Sequence, residues 1–270
     1  MASEPERLGG ESFVGSWSEG KAALASRLAH RAGLVRNTLA ILSGLFAGTA
    51  LVALLASFHL ALGWDFVASV LLSLSLMFSL VIYALPSHPH RRFGYANLVT
   101  AFRASLVSLT GATILCFETL AATDLALWTL VGVVLFALAL DGVDGFLARR
   151  YGHESPFGAR FDMEVDALLI LVLSLAAALL DKAGLWVLLI GLMRYGFVAA
   201  GWIMPKLNGE LPPSFRRKLV CVVQIGALCL IIVPFVVPPY STAIAAAALV
   251  ALAYSFAVDI RFLLRQPVQP

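Results

Sequence analysis

Along this chain, apolar runs of membrane-crossing length alternate with short polar joints. Windows of about twenty apolar residues, the length an α-helix needs to span a bilayer, fall at 39–62, 66–85, 95–117, 124–146, 159–180, 184–204, 218–238 and 241–260. The pattern predicts eight transmembrane helices. Polar residues interrupt the third, fourth and fifth windows near one end only, which blurs those boundaries. The first 37 residues differ. Residues 1–20 are polar and rich in Gly, Ser and Glu, a composition expected to stay disordered. Residues 22–36 put Leu24, Leu28 and Val35 on one stripe, with Arg27, His30 and Arg31 off it. Such a segment either lies on the inner leaflet as a surface helix or serves as a plain basic anchor. No apolar core of a secretory signal stands here, and the first span is long enough to remain as an anchor.

Composition agrees with the pattern. Hydrophobic residues make up 60% of the chain and charged residues 13%, with a mean hydropathy of +0.91. A soluble domain carries roughly 25% charged residues, so the reading is an all-α, multi-pass membrane protein. Charge placement then orients it. Arg91 and Arg92, Arg149 and Arg150, Lys206 with Arg216, Arg217 and Lys218, and finally Arg261 and Arg265 fall at every second joint. The other joints are short and hold Asp65, Glu118, Asp124 and Asp181, with Lys182 the one cation among them. The positive-inside rule puts the basic joints and both termini in the cytoplasm, in a membrane expected to be the inner membrane of a bacterium. The net charge of +3 reports this orientation and an affinity for anionic lipid heads, and calls for no nucleic acid.

The joint between the fourth and fifth windows is the richest in chemistry. Residues 141–166 read DGVDGFLARRYGHESPFGARFDMEVD and hold four of the eight aspartates. Carboxylates at membrane depth are expensive and persist where they act. Asp141 and Asp144 are three apart, Asp162 and Asp166 four apart, so each pair shares a helical face. Gly152, Pro156 and Gly158 predict a short turn over 150–158 that would bring the pairs together. Four converging carboxylates repel unless cations sit between them, and all-oxygen ligands suit Mg²⁺ or Mn²⁺, in a site with room for two. Gly142, Gly145 and Ala148 would let a ligand approach the backbone closely, and Arg149 offers a planar fork for phosphate. His59, His88, His90 and His153 form no ligand set; His88 and His90 flank Pro89 and are expected to be solvated. Cys116, Cys221 and Cys229 lie in apolar spans and read as packing residues.

These residues resemble the signature of the CDP-alcohol phosphatidyltransferases, D-x2-D-G-x2-A-R-x8-G-x3-D-x3-D. Asp141, Asp144, Gly145, Ala148, Arg149, Gly158, Asp162 and Asp166 fill every fixed position. The resemblance implies transfer of a phosphatidyl group from CDP-diacylglycerol to an alcohol, with release of CMP. It implies that Asp141, Asp144, Asp162 and Asp166 ligate metal, that Asp166 also takes the acceptor's proton, and that Gly142, Gly145, Ala148, Arg149 and Gly158 hold the CDP moiety. Asn97, Thr100 and Arg103 match an N-x2-T-x2-R pattern at the start of the family's first core helix, which implies contact with the nucleotide and diphosphate. Helix capping by Asn97 and a snorkelling Arg103 are the structural alternative. The family core has six helices and forms homodimers. The chain is thus expected to comprise a tail (1–37), an additional hairpin (38–92) of no assignable role, and a six-helix catalytic unit (93–265).

The acceptor is less legible. Arg194 lies inside the sixth window, where a lone guanidinium should face an anion or a polar cavity. Arg216, Arg217 and Lys218 open the seventh. Together they would form a cationic acceptor pocket suited to a phosphorylated alcohol, and they loosely resemble the glycerophosphate-accepting branch. Glycerol 3-phosphate therefore leads, inositol phosphate follows, and serine and phosphatidylglycerol stay open. A rival from another class is an ion-coupled transporter, which should show repeated halves; DGVDG occurs once. A non-catalytic scaffold would leave the burial of four carboxylates without compensation.

Overall fold

The structure, a computed structural model, describes residues 10–60, 62–88, 90, 92–116, 124–151, 155–209, 211, 212 and 214–266. The side chains of residues 10–30, 87, 124, 144, 147–149 and 151 lie outside the description. Among the described residues there are eight long helices and no strand: α1 (Gly10–His59), α2 (Trp64–Ala84), α3 (Tyr95–Leu115), α4 (Asp124–Tyr151), α5 (Pro156–Leu179), α6 (Leu188–Ile203), α7 (Phe215–Ile232) and α8 (Tyr240–Arg265). Each corresponds to one expected span. Six are long and apolar enough to cross a membrane on composition alone; α5 and α7 are not among them. The reason is local. α5 carries Arg160, Asp162, Glu164 and Asp166 at its start, and α7 carries Arg216, Arg217 and Lys218. Charge lowers their hydropathy at the end where the site is built.

Helix boundaries follow ordinary stop and start chemistry. Ser155 caps α5, its Oγ accepting from the Gly158 N–H at 3.0 Å, with Pro156 at the first helical position where its missing N–H costs nothing. Gly94 precedes α3 with φ 86°, a conformation open to glycine. Pro86 stands in the 3-10 turn that closes α2, and Pro205 stands just past the end of α6. The turn expected over 150–158 is tighter, because α4 continues to Tyr151 and α5 starts at Pro156.

α1 departs from expectation. Residues 10–59 form one continuous helix, so neither a disordered 10–20 nor a separate surface helix over 22–36 is present. No proline interrupts residues 6–85, and nothing else forces a break. At 1.5 Å per residue this helix is about 75 Å long, more than twice the roughly 30 Å hydrocarbon layer.

α3 is the central helix: 56% of its apolar window is buried, against 17% for α1. It packs on α2, α4 and α5, while α5 in turn contacts α6 and α7, and α7 contacts α8. Leu74, Val165, Leu169, Leu173, Leu228 and Ile231 form part of one continuous core. α1 and the segment after α2 brace the start of α3. Asn37 Oδ1 accepts from the Phe93 N–H at 3.2 Å, and the His88 Nε2 lies 2.9 Å from the Arg92 carbonyl. His88, expected to be solvated, is buried with its ring edge-on to Phe157, centroids 4.9 Å apart. At the opposite end of the bundle Lys182 is also buried. Its ammonium donates to the carbonyls of Val233, Pro234 and Val236 at 3.0, 3.1 and 2.9 Å. Those carbonyls belong to the segment that follows α7, so the buried ammonium meets backbone acceptors of that segment.

Candidate active site

Burial of a guanidinium organises the site. Arg103, on the third turn of α3, has a side chain with no exposed surface. Its Nη1 lies 2.9 Å from Asp141 Oδ1 and 2.5 Å from Asp162 Oδ1, and its Nη2 lies 2.5 Å from Asp166 Oδ1. One helix thus supplies the charge that gathers carboxylates from two others. One oxygen from each of Asp141, Asp162 and Asp166 falls within 4.8 Å of the others. A hard divalent cation fits this donor set, which is all carboxylate oxygen and partly open to solvent. Asp144 follows Asp141 at i+3 on α4, on the same helical face; its side chain, with those of Ala148 and Arg149, lies outside the described residues.

Arg103 therefore does not snorkel: a fully buried charge needs a counter-charge, and the aspartates provide it. Asn97 and Thr100 share its buried face. The Asn97 amide donates to the Phe93 carbonyl at 2.5 Å and the Thr100 hydroxyl to Ala96 at 3.1 Å. Asn97 also explains Gly158: a Cβ there would sit 2.8 Å from Asn97 Oδ1. Gly158 thus serves the close approach of α3 and α5. Gly142 is exposed, with nothing within 4 Å of where a Cβ would stand, which leaves room for a ligand against the α4 backbone. Gly145 is half-buried.

Beside this cluster lies a cavity of about 360 Å³ among α5, α6, α7 and α8, and Asp166 lines it. Arg194, Arg217 and Asp259 stand on its wall, with Phe197 and Phe256 as apolar sides. Of the expected acceptor residues, Arg194 and Arg217 reach the cavity. Arg216 and Lys218 are not on its wall, and Lys218 is exposed. Arg194 is already paired, its Nη2 with Glu164 Oε1. Arg216 Nη2 holds Asp259 Oδ1 at 2.5 Å, while Arg217 reaches the same oxygen only at 3.5 Å. Three guanidiniums therefore share two carboxylates, and the excess positive charge lies nearest Arg217.

Glu164 and Asp259 went unnoticed in the sequence, and Cys221 reads there only as a packing residue. The first two could have been found by asking which carboxylate sits at the depth of each intramembrane arginine. Cys221 is more than packing: it lines the cavity, and its Sγ lies 3.5 Å from Asp166 Oδ2. Nothing in the sequence marks it.

A family model described as CDP-alcohol phosphatidyltransferase matches residues 93–258, well over half of the 270 residues. The matched stretch takes in α3 to α7 and most of α8 and leaves out α1 and α2. No curated protein and no solved structure matches the chain.

Proposed function

The chain belongs to the CDP-alcohol phosphatidyltransferase family, and on that premise we propose that it transfers the phosphatidyl group of CDP-diacylglycerol to a small phosphorylated alcohol, glycerol 3-phosphate first. Membership makes it a transferase of phospholipid synthesis that acts on a CDP-alcohol. The observation that carries the finer reading is the position of Asp166, which belongs both to the carboxylate cluster and to the wall of the cavity. A hydroxyl entering that cavity meets a carboxylate that can take its proton. The acceptor oxygen then bonds to the lipid-proximal phosphorus, the phosphorus–oxygen bond to CMP breaks, and CMP departs with that electron pair.

The family is generally divalent-metal dependent. Mg²⁺ or Mn²⁺ held by Asp141, Asp144, Asp162 and Asp166 would supply charge neutralisation for the diphosphate. Gly142 leaves the α4 backbone open to the CDP moiety, with Gly145, Ala148 and Arg149 on the same helix. For the acceptor, Arg217 is the residue with charge to spare, since Arg194 and Arg216 each hold a carboxylate closely. A phosphate monoester fits such a surplus, and a neutral alcohol would leave it uncompensated. The basic joints support a cytoplasmic position for this end of the bundle, in an inner membrane of bacterial type. A homodimer is expected from the family.

The test is CMP release by purified protein given CDP-diacylglycerol and glycerol 3-phosphate, inositol phosphate, serine or glycerol. Glycerol 3-phosphate should be used best. Arg217→Ala should raise its KM about tenfold or more, the loss of a charge-assisted hydrogen bond, and leave the KM for CDP-diacylglycerol near its starting value. Arg194→Ala should move it less. Preference for serine or glycerol, with Arg217→Ala unchanged in KM, would overturn the acceptor assignment.

A further inference from the structure

We propose that Arg103 is the positioning residue of the metal site: its planar guanidinium holds one oxygen of Asp141, Asp162 and Asp166 from the buried side and so aims the carboxylates at the open side, where a divalent cation binds. The inference rests on the metal-dependent reading above. Its first support is a gradient of exposure. The Arg103 side chain is 0% exposed, whereas those of Asp141, Asp162 and Asp166 are 28%, 36% and 16% exposed. The guanidinium therefore approaches from within the bundle and a solvated ion from outside it.

Its second support is which atoms are used. Arg103 engages Oδ1 of all three residues, and Asp166 Oδ2 stands 3.5 Å from the Cys221 thiol. Each carboxylate thus has one oxygen anchored and a second on its other side. Its third support is charge. One guanidinium offsets only one of the carboxylates, so the cluster keeps net negative charge for a cation. Asp141 comes from α4 and Asp162 and Asp166 from α5, so the carboxylates of the two helices are aimed independently unless one rigid group binds all three. The Arg fork does this; a lysine ammonium, a point charge on a flexible stem, does not. Groups that orient metal ligands from outside the coordination sphere typically contribute ten- to a hundred-fold in affinity.

The experiment is Mn²⁺ binding to purified full-length protein without substrate, bound and free ion read by electron paramagnetic resonance, for wild type, Arg103→Lys and Arg103→Met. Melting in EDTA checks that each variant is folded. Arg103→Lys keeps the charge but not the fork, and it should weaken Mn²⁺ binding about ten- to a hundred-fold and change the line shape of the bound ion. Wild-type affinity in Arg103→Lys would overturn the proposal, because charge alone would then suffice. Tighter binding in Arg103→Met would overturn it too, since Arg103 would then compete with the cation. If Arg103→Met does not fold, Arg103→Lys decides alone. If wild type binds no Mn²⁺, the metal-dependent reading itself falls and this inference with it.

Discussion

Under the proposed mechanism Asp166 has two roles that oppose each other. Ligating a cation favours its ionised form and draws electron density away, whereas accepting a proton from the acceptor requires basicity. Oδ1 of this carboxylate is held by Arg103, while Oδ2 stands by Cys221, a residue of the cavity wall. Asp141→Asn, Asp144→Asn and Asp162→Asn, each removing a ligand, should abolish turnover while the protein stays folded. Asp166→Asn should lower kcat by about 10²–10⁴, the range of general base catalysis, or more if its ligand role dominates. EDTA should stop the wild type, and Mg²⁺ or Mn²⁺ should restore it. CMP release, with melting temperature as the folding control, checks all of these. Full turnover in metal-free buffer would remove the metal from the mechanism.

At the scale of elements, two glycines decide how closely α5 is held. A Cβ on Gly191 of α6 would fall 2.5 Å from the Leu171 Cα of α5 and 2.5 Å from Ser174 Oγ. Backbone cannot yield as a side chain can, so the two helices would have to part. Small residues at such crossings are how membrane helices gain contact when lipid is as apolar as leucine. Gly191→Ala should destabilise by about 1–3 kcal/mol, as overpacked cores do. Because α5 carries Asp162 and Asp166, turnover should fall as well. Gly158→Ala meets a side-chain oxygen, that of Asn97, and part of its loss should return in the double variant with Asn97→Ala. Thermal unfolding in detergent measures both. An unshifted melting temperature for Gly191→Ala would mean the crossing is looser than the structure has it.

For the whole molecule, the contacts define two ends. Arg103 with its aspartates, Arg194 with Glu164 and Arg216 with Asp259 all join helices at one end. Lys182 with the segment after α7 marks the other. Up-and-down connectivity of the helices gives this division, and the orientation proposed above, from the positive-inside rule, turns the first end to the cytoplasm. Reporter fusions after residues 90, 152, 210 and 268 should therefore report cytoplasm, and fusions near 120 and 182 the opposite side. A cytoplasmic signal near 120 would change the number of spans. The length of α1, about 75 Å, adds that part of this helix must stand outside the bilayer.

Much of this protein is local in the sequence. Apolar windows marked eight helices, because a bilayer demands uninterrupted apolar length and every backbone group bonds within its own helix. The aspartate spacing marked the carboxylate cluster, because residues three and four apart share a face whatever surrounds them. The Ser155-Pro156 start of α5 was equally local. What only tertiary structure decided was pairing between distant positions. Arg194 looked like a free anion receptor until Glu164, thirty residues earlier, came beside it. Lys182 looked like an exception to the topology rule until three carbonyls some fifty residues later surrounded its ammonium. Arg103 stood in the sequence as the last of an N-x2-T-x2-R row until helix packing set it beside Asp141, Asp162 and Asp166. In each case a buried charge required a partner, and the sequence announced the need. Which partner met it depended on the order in which helices pack, and hydropathy along one chain does not encode that order.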